Sequence, residues 1–204
     1  MRQRFTGEIT GVGSTSGTRF VVGDWYDSPL GRFTDVMVQE PNGHRVLLAP
    51  GDAQAALVSA VYSFDETVVG AVVMTTSPTS RVVSAPGLEL SVGIGGRTLL
   101  GGLLRLVPRP LATDPRWLAL LAPVARLRGV TTHGTAGGGR TESYGAYDAL
   151  AVTSASGRWR GQDLGGLADV DPPVTFGFSS TLRRPSLTRL VTTIDSADGP
   201  GDAS

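Results

Sequence analysis

The chain has 204 residues, 40% hydrophobic and 18% charged, with a formal net charge of zero. At this length a fold buries roughly 70% of its unfolded surface and needs no disulfide or metal to hold it. Every one of its 18 basic residues is arginine and there is no cysteine. Lysine Schiff bases, P-loop and kinase-type lysines, thiol nucleophiles, disulfides and thiolate metal sites are therefore excluded.

The first 50 residues read as strands. Phe5 to Val12 and Arg19 to Trp25 flank the turn chemistry of Ser14-Thr15-Ser16-Gly17. Phe33 to Gln39 alternates, with Phe33, Asp35, Met37 and Gln39 on one face and Thr34, Val36 and Val38 on the other. Asn42-Gly43 then joins it to Arg45–Ala49, the strongest short-range hairpin signal. Residues 51 to 62 are Ala-rich with apolar spacing near 3.6, which predicts a helix capped by Asp52. Thr67 to Thr76 reads as one buried strand and Arg81 to Ser84 as another. After the Pro86-Gly87 turn, Leu88, Leu90, Val92 and Ile94 alternate inward. Gly95-Gly96 turns the chain into 97–107.

Asp114-Pro115 opens a second helical segment, since Asp caps and Pro fits the first helical position. This segment runs to Arg128 with apolar residues nearly all round. Residues 131–141 form a glycine-rich loop. Ser143 to Thr153 is a strand that ends at an Ala155-Ser156-Gly157 turn. Val174–Ser180 and Leu187–Ile194 read as a closing hairpin. Residues 1–194 thus form a single compact domain, and 195–204, made of Asp, Ser, Gly and Pro, read as a disordered tail. The pattern V-x-S-x-S-G occurs at Val12–Gly17 and again at Val152–Gly157, an echo that a duplicated β unit would leave.

Together these elements predict a β-rich α+β fold: an antiparallel sheet or partly closed barrel with two helical segments packed on one side. The N-terminus lacks an apolar run behind its basic residues, and no stretch is long and apolar enough for a transmembrane helix. With no cysteine this points to a reducing, cytoplasmic setting. Six arginines between Gly87 and Val130 face only Glu89 and Asp114. They read as the rim of a buried helical hairpin, because a nucleic-acid site would add exposed aromatics.

A β-rich shell can enclose a small ligand. Trp25, Tyr144, Tyr147 and Trp159 are candidate liners and Arg140 the candidate anchor, which suits a small apolar or anionic molecule. A second reading is a cofactor-independent enzyme in which His133, beside the 134–140 glycine-rich stretch, acts as base with Asp148. A third is a homo-oligomeric interaction protein. No metal site is expected, because the two histidines, His44 and His133, lie far apart and no H-x-x-x-H spacing exists.

Overall fold

The computed structural model describes residues 2–108, 133–136, 140–177 and 181–195. Its elements in chain order are β1 (Arg2–Ser14), β2 (Arg19–Asp27), β3 (Phe33–Gln39), β4 (Arg45–Ala49) and α1 (Asp52–Ser59). Next come β5 (Glu66–Val69), β6 (Val73–Thr76), β7 (Ser80–Ala85), β8 (Leu88–Arg97) and α2 (Leu99–Leu104). The remainder are β9 (His133–Ala136), β10 (Arg140–Trp159), β11 (Gln162–Asp163), β12 (Leu167–Ala168) and β13 (Ser186–Asp195).

The described strands form one sheet, ordered β5-β4-β3-β2-β1-β13-β10-β8-β7-β6. Tight turns make β1 to β4 an antiparallel meander, and Gly43 takes the left-handed conformation (φ 90°) that the Asn42-Gly43 hairpin requires. Only a crossover can bring a strand back parallel. Helix α1 supplies it between β4 and β5, which pair in parallel, so the sheet is mixed where the sequence predicted an antiparallel one.

The sheet curls into a half-barrel. Its concave side holds the larger core, where Val12, Phe20, Val22, Val36 and Val38 meet Val83, Leu88, Leu90 and Val92 from the opposite flank. The predicted alternation of β3 holds: its even residues face this core, while Met37 packs on the convex side with Ile9, Val21, Leu47 and Val58. Polar latches fix the curl. Arg81 of β7 donates to the Glu8 carboxylate of β1. On a flat sheet those strands stand four spacings apart, about 19 Å. Elsewhere Trp159 Nε1 donates to Glu40 Oε1 at 2.9 Å, and Arg160 and His44 both meet the Glu66 carboxylate, His44 at 3.1 Å.

Several local expectations need correction. The run 67–76 is two strands, β5 and β6, broken at Gly70, which lies against Pro86 so closely that an added Cβ would meet the ring at 2.7 Å. Gly95-Gly96 does not turn the chain; β8 continues to Arg97, and Thr98 then caps α2 by accepting from Gly101 N at 3.0 Å. Ala155-Ser156-Gly157 is no turn either. β10 runs through it because Gly157, at φ 148°, lies against the backbone of Glu89. Residues 174–177 are not a strand. β13 instead pairs with both β1 and β10, so the N-terminal and late parts of the chain share the centre of the sheet. The V-x-S-x-S-G echo falls at a strand end and turn in one copy and inside β10 in the other. The predicted helix at 114–128 and the tail beyond Asp195 lie outside the described residues.

Truncating one partner of a buried ion pair strands the other's charge, at about 3–5 kcal/mol, whereas replacing both with apolar groups is close to neutral. Glu8 is 1% and Arg81 6% exposed. Arg81→Ala should therefore lower stability by about 3–5 kcal/mol in chemical denaturation. The double variant Glu8→Leu/Arg81→Met should recover most of that loss.

Candidate functional site

The convex side of the sheet is covered by α1. Gly51, in extended conformation, starts the helix with no side-chain cap, so Asp52 stands in the first turn rather than at the cap position the sequence suggested. The helix buries Ala55 and Val58 against Leu47 and Ala49. Its C-terminal end does not close on the strands. Leu57, Val58, Val61 and Tyr62 roof a cavity of about 50 Å³ whose floor comes from β1, β2, β3 and β13.

The floor is apolar except at two points. Phe5, Ile9, Val21, Trp25, Phe33 and Met37 supply most of it. Trp25 stands between Phe5, edge-on at 5.7 Å, and Phe33 at 6.5 Å. Asp35 is the cavity's one carboxyl and is 2% exposed. The second polar point is the buried hydroxyl of Thr192, which has no hydrogen-bond partner among the described residues.

Asp35 is held by its neighbours on β2. Trp25 Nε1 donates to its Oδ1 at 2.8 Å. Gly23 is directly opposite Asp35 in the ladder, and an added Cβ there would stand 2.8 Å from both atoms of that bond. Glycine at this position is what lets the indole and the carboxyl meet across the strand. Burial raises the Asp35 pKa, the Trp25 hydrogen bond opposes the rise, and the charge of Asp24 adds to it, leaving the group at about 7. Such a carboxyl is present in both protonation states near neutral pH and can donate or accept a hydrogen bond.

Among the candidate residues read from the sequence, the structure puts Trp25 and Tyr144 on one side of the sheet and Trp159 on the other. Trp25 lines the cavity. Tyr144 is buried in the same convex cluster, on β10. Trp159 is on the concave side at the far end, hydrogen-bonded to Glu40 with the Arg160 guanidinium over its ring at 4.8 Å. Tyr147 is half-buried at a bulge of β10. Asp148 accepts from Arg97 Nε at 2.8 Å and has Arg189 at 4.0 Å. Burial pushes its pKa up, but the hydrogen bond and charge of Arg97 outweigh this and hold it below the ordinary carboxylate range. The glycine-rich stretch contains β9, which pairs with the start of β10, so that His133 is opposite Ser143 and Arg140 opposite Ala136. The side chains of His133 and Arg140 fall outside the described set.

Asp35 was the residue missed. Its signal was a lone carboxyl between Phe33 and Met37 on a strand face otherwise fit for burial.

No family model matches the chain, and no curated protein matches it. Among solved structures, one titled acetoacetate decarboxylase from Legionella pneumophila subsp. pneumophila is similar over 95% of this chain and 84% of that one, with 10% identity and a TM-score of 0.46. A likeness that weak carries no argument about activity. Among the described residues, no helix is long and apolar enough to cross a membrane, and no group of three or more His, Cys, Asp or Glu is placed to hold a metal ion.

The Asp35 pKa gives a pH signature. With about 7 in the folded state against 3.8 as its ordinary value, the folded protein binds the extra proton between those limits. Stability contributed by this group is full below pH 4 and falls as pH rises towards 7, by at most about 1.4 kcal/mol per pH unit, then levels off. Asp35→Asn keeps an oxygen for Trp25 but cannot ionise. Denaturation across pH 4 to 8 should show the variant gaining on the wild type up to about pH 7, with no further gain above it.

Proposed function

We propose that this protein binds a small, largely apolar molecule in the cavity beneath α1, with Asp35 as the polar anchor. One observation carries the reading: a single buried carboxyl with a raised pKa in an otherwise apolar, partly open cavity. Unmatched burial of a carboxyl costs stability, and a site that retains one has polar chemistry to perform on what enters.

The cavity's size constrains the ligand. At about 50 Å³ it is smaller than the ~150 Å³ apolar cavity that takes benzene. It suits a short aliphatic group, with the remainder of the ligand extending through the open side. A hydroxyl on that group matches Asp35 in either protonation state and can also reach the Thr192 hydroxyl. In this reading the anchor is Asp35, and the side chain of Arg140, the anchor expected from the sequence, lies outside the described residues. A His133–Asp148 base gains no support from the position of Asp148, whose carboxylate already serves Arg97.

Titration with 1-alkanols of four to eight carbons tests this, read through Trp25 fluorescence. Saturable quenching or enhancement should appear, vanish in Trp25→Phe, and weaken at least tenfold in Val58→Phe, where a ring fills the cavity. A linear, unsaturable response in the wild type would sink the proposal.

A further inference from the structure

Four acids are buried among the described residues: Glu8, Asp24, Asp35 and Asp148. Three of them share the concave face, where Asp24 of β2, Glu8 of β1, Arg189 of β13 and Asp148 of β10 are consecutive ladder partners. They form a layer of charge across the sheet, and each acid in it has an arginine. Glu8 takes Arg81, Asp148 takes Arg97 at 2.8 Å, and Asp24 takes Arg32 at 3.4 Å. Arg189 adds contacts at 3.7 Å to Glu8 and 4.0 Å to Asp148.

Asp35, the fourth acid, is on the opposite face and has no cation among the described residues. Its partners are donors, the indole of Trp25 and its own backbone N–H. Donors serve the ionised form, since a protonated carboxyl also needs an acceptor for its hydrogen. The charge that acts on Asp35 is that of Asp24, which is negative. As a carboxylate, Asp35 is therefore a buried charge without a counterion, the costly half of an ion pair. A bound hydroxyl adds a hydrogen bond but leaves that charge unpaired.

The cavity around Asp35 fits the missing half. No arginine or histidine is among its described lining residues, so nothing there competes for the carboxylate or would hold an anion. Phe5, Trp25, Phe33 and Tyr62 in the lining are aromatic, and ring faces attract cations. The carboxylate keeps acceptor capacity, because two donors occupy about half of its roughly four lone-pair positions. Gly23, directly opposite Asp35, leaves the floor beside the carboxyl without a side chain. Leu57, Val58 and Val61 of the roof present aliphatic surface to a carbon chain.

We propose that the ligand of this cavity is a short-chain primary amine, held as its ammonium ion against the Asp35 carboxylate. This rests on the reading of the cavity as a ligand site and names the head group that the site selects. The three N–H donors of an ammonium, with no acceptor, complement a carboxylate flanked by aromatic rings.

Three four-carbon probes that differ in charge test this: butylammonium, butan-1-ol and butyrate. Each is titrated calorimetrically into the full chain at low salt and about pH 8, where Asp35 is mostly ionised and an aliphatic amine, with a pKa of about 10.4 like that of lysine, is still protonated. Butylammonium should bind one to one, at least tenfold more tightly than either of the others. Its affinity should fall at least tenfold in Asp35→Asn. Should that variant not fold, Val58→Phe carries the test at the same threshold, because its ring fills the cavity. If butan-1-ol saturates and butylammonium has less than a tenfold preference over it, the proposal is overturned while the cavity stands as a ligand site. If neither saturates, both readings fall. Butylammonium binding that persists in the variant, or butyrate binding within tenfold of it, puts the amine outside the cavity and also overturns the proposal.

Discussion

The ion pair between Glu8 and Arg81 is the constraint on which the rest of the molecule depends. It ties the middle of the sheet to a strand near its edge, which is possible only if the sheet is curled. Once curled, the sheet has two unequal sides. The concave one buries the larger apolar core and the charge layer, and the convex one is left to α1 and the segment around Phe176. The opposite end is held by exposed and half-exposed groups, Arg160, Glu66 and His44. Solvent-screened pairs of that kind contribute about 1 kcal/mol or less. The buried end therefore carries most of the electrostatic demand.

Both polar centres cost folding free energy. Glu8 is fully buried and its Oε2 has no hydrogen-bond partner among the described residues. Asp35 is buried with only the indole of Trp25 and local backbone to offset desolvation. A sequence selected for stability alone would place leucine or valine at these positions, as it does at the fully buried Val36 on β3 and Leu48 on the adjacent β4. Charged and strained groups kept inside a fold concentrate where a protein meets its ligand.

The sequence made the meander, the Asn42-Gly43 hairpin, α1 and the two faces of β3 and β8 legible, because each is set by local turn chemistry or by periodicity. It misled where a glycine looked like a turn. Gly95, Gly96 and Gly157 are strand residues, and for Gly157 the cause is a neighbouring backbone, that of Glu89, which comes from far along the chain. The place of β13 between β1 and β10 was hidden for the same reason: nothing local in residues 186–195 identifies β1 as their partner. At the site, Trp25 was recognisable as a large aromatic at a strand end. Asp35 was not, because its chemistry depends on Gly23 and Trp25 one strand away.

The two centres are back to back. On β2, Asp24 faces the concave layer and its neighbour Trp25 lines the convex cavity. On β3, Thr34 bonds Asp24 while its neighbour Asp35 lines the cavity. Alternation along a strand puts consecutive side chains on opposite faces, so one sheet thickness separates Asp24 from Asp35. The charge of Asp24 already raises the Asp35 pKa. Burial in turn raises that of Asp24, against the pull of Thr34 and Arg32.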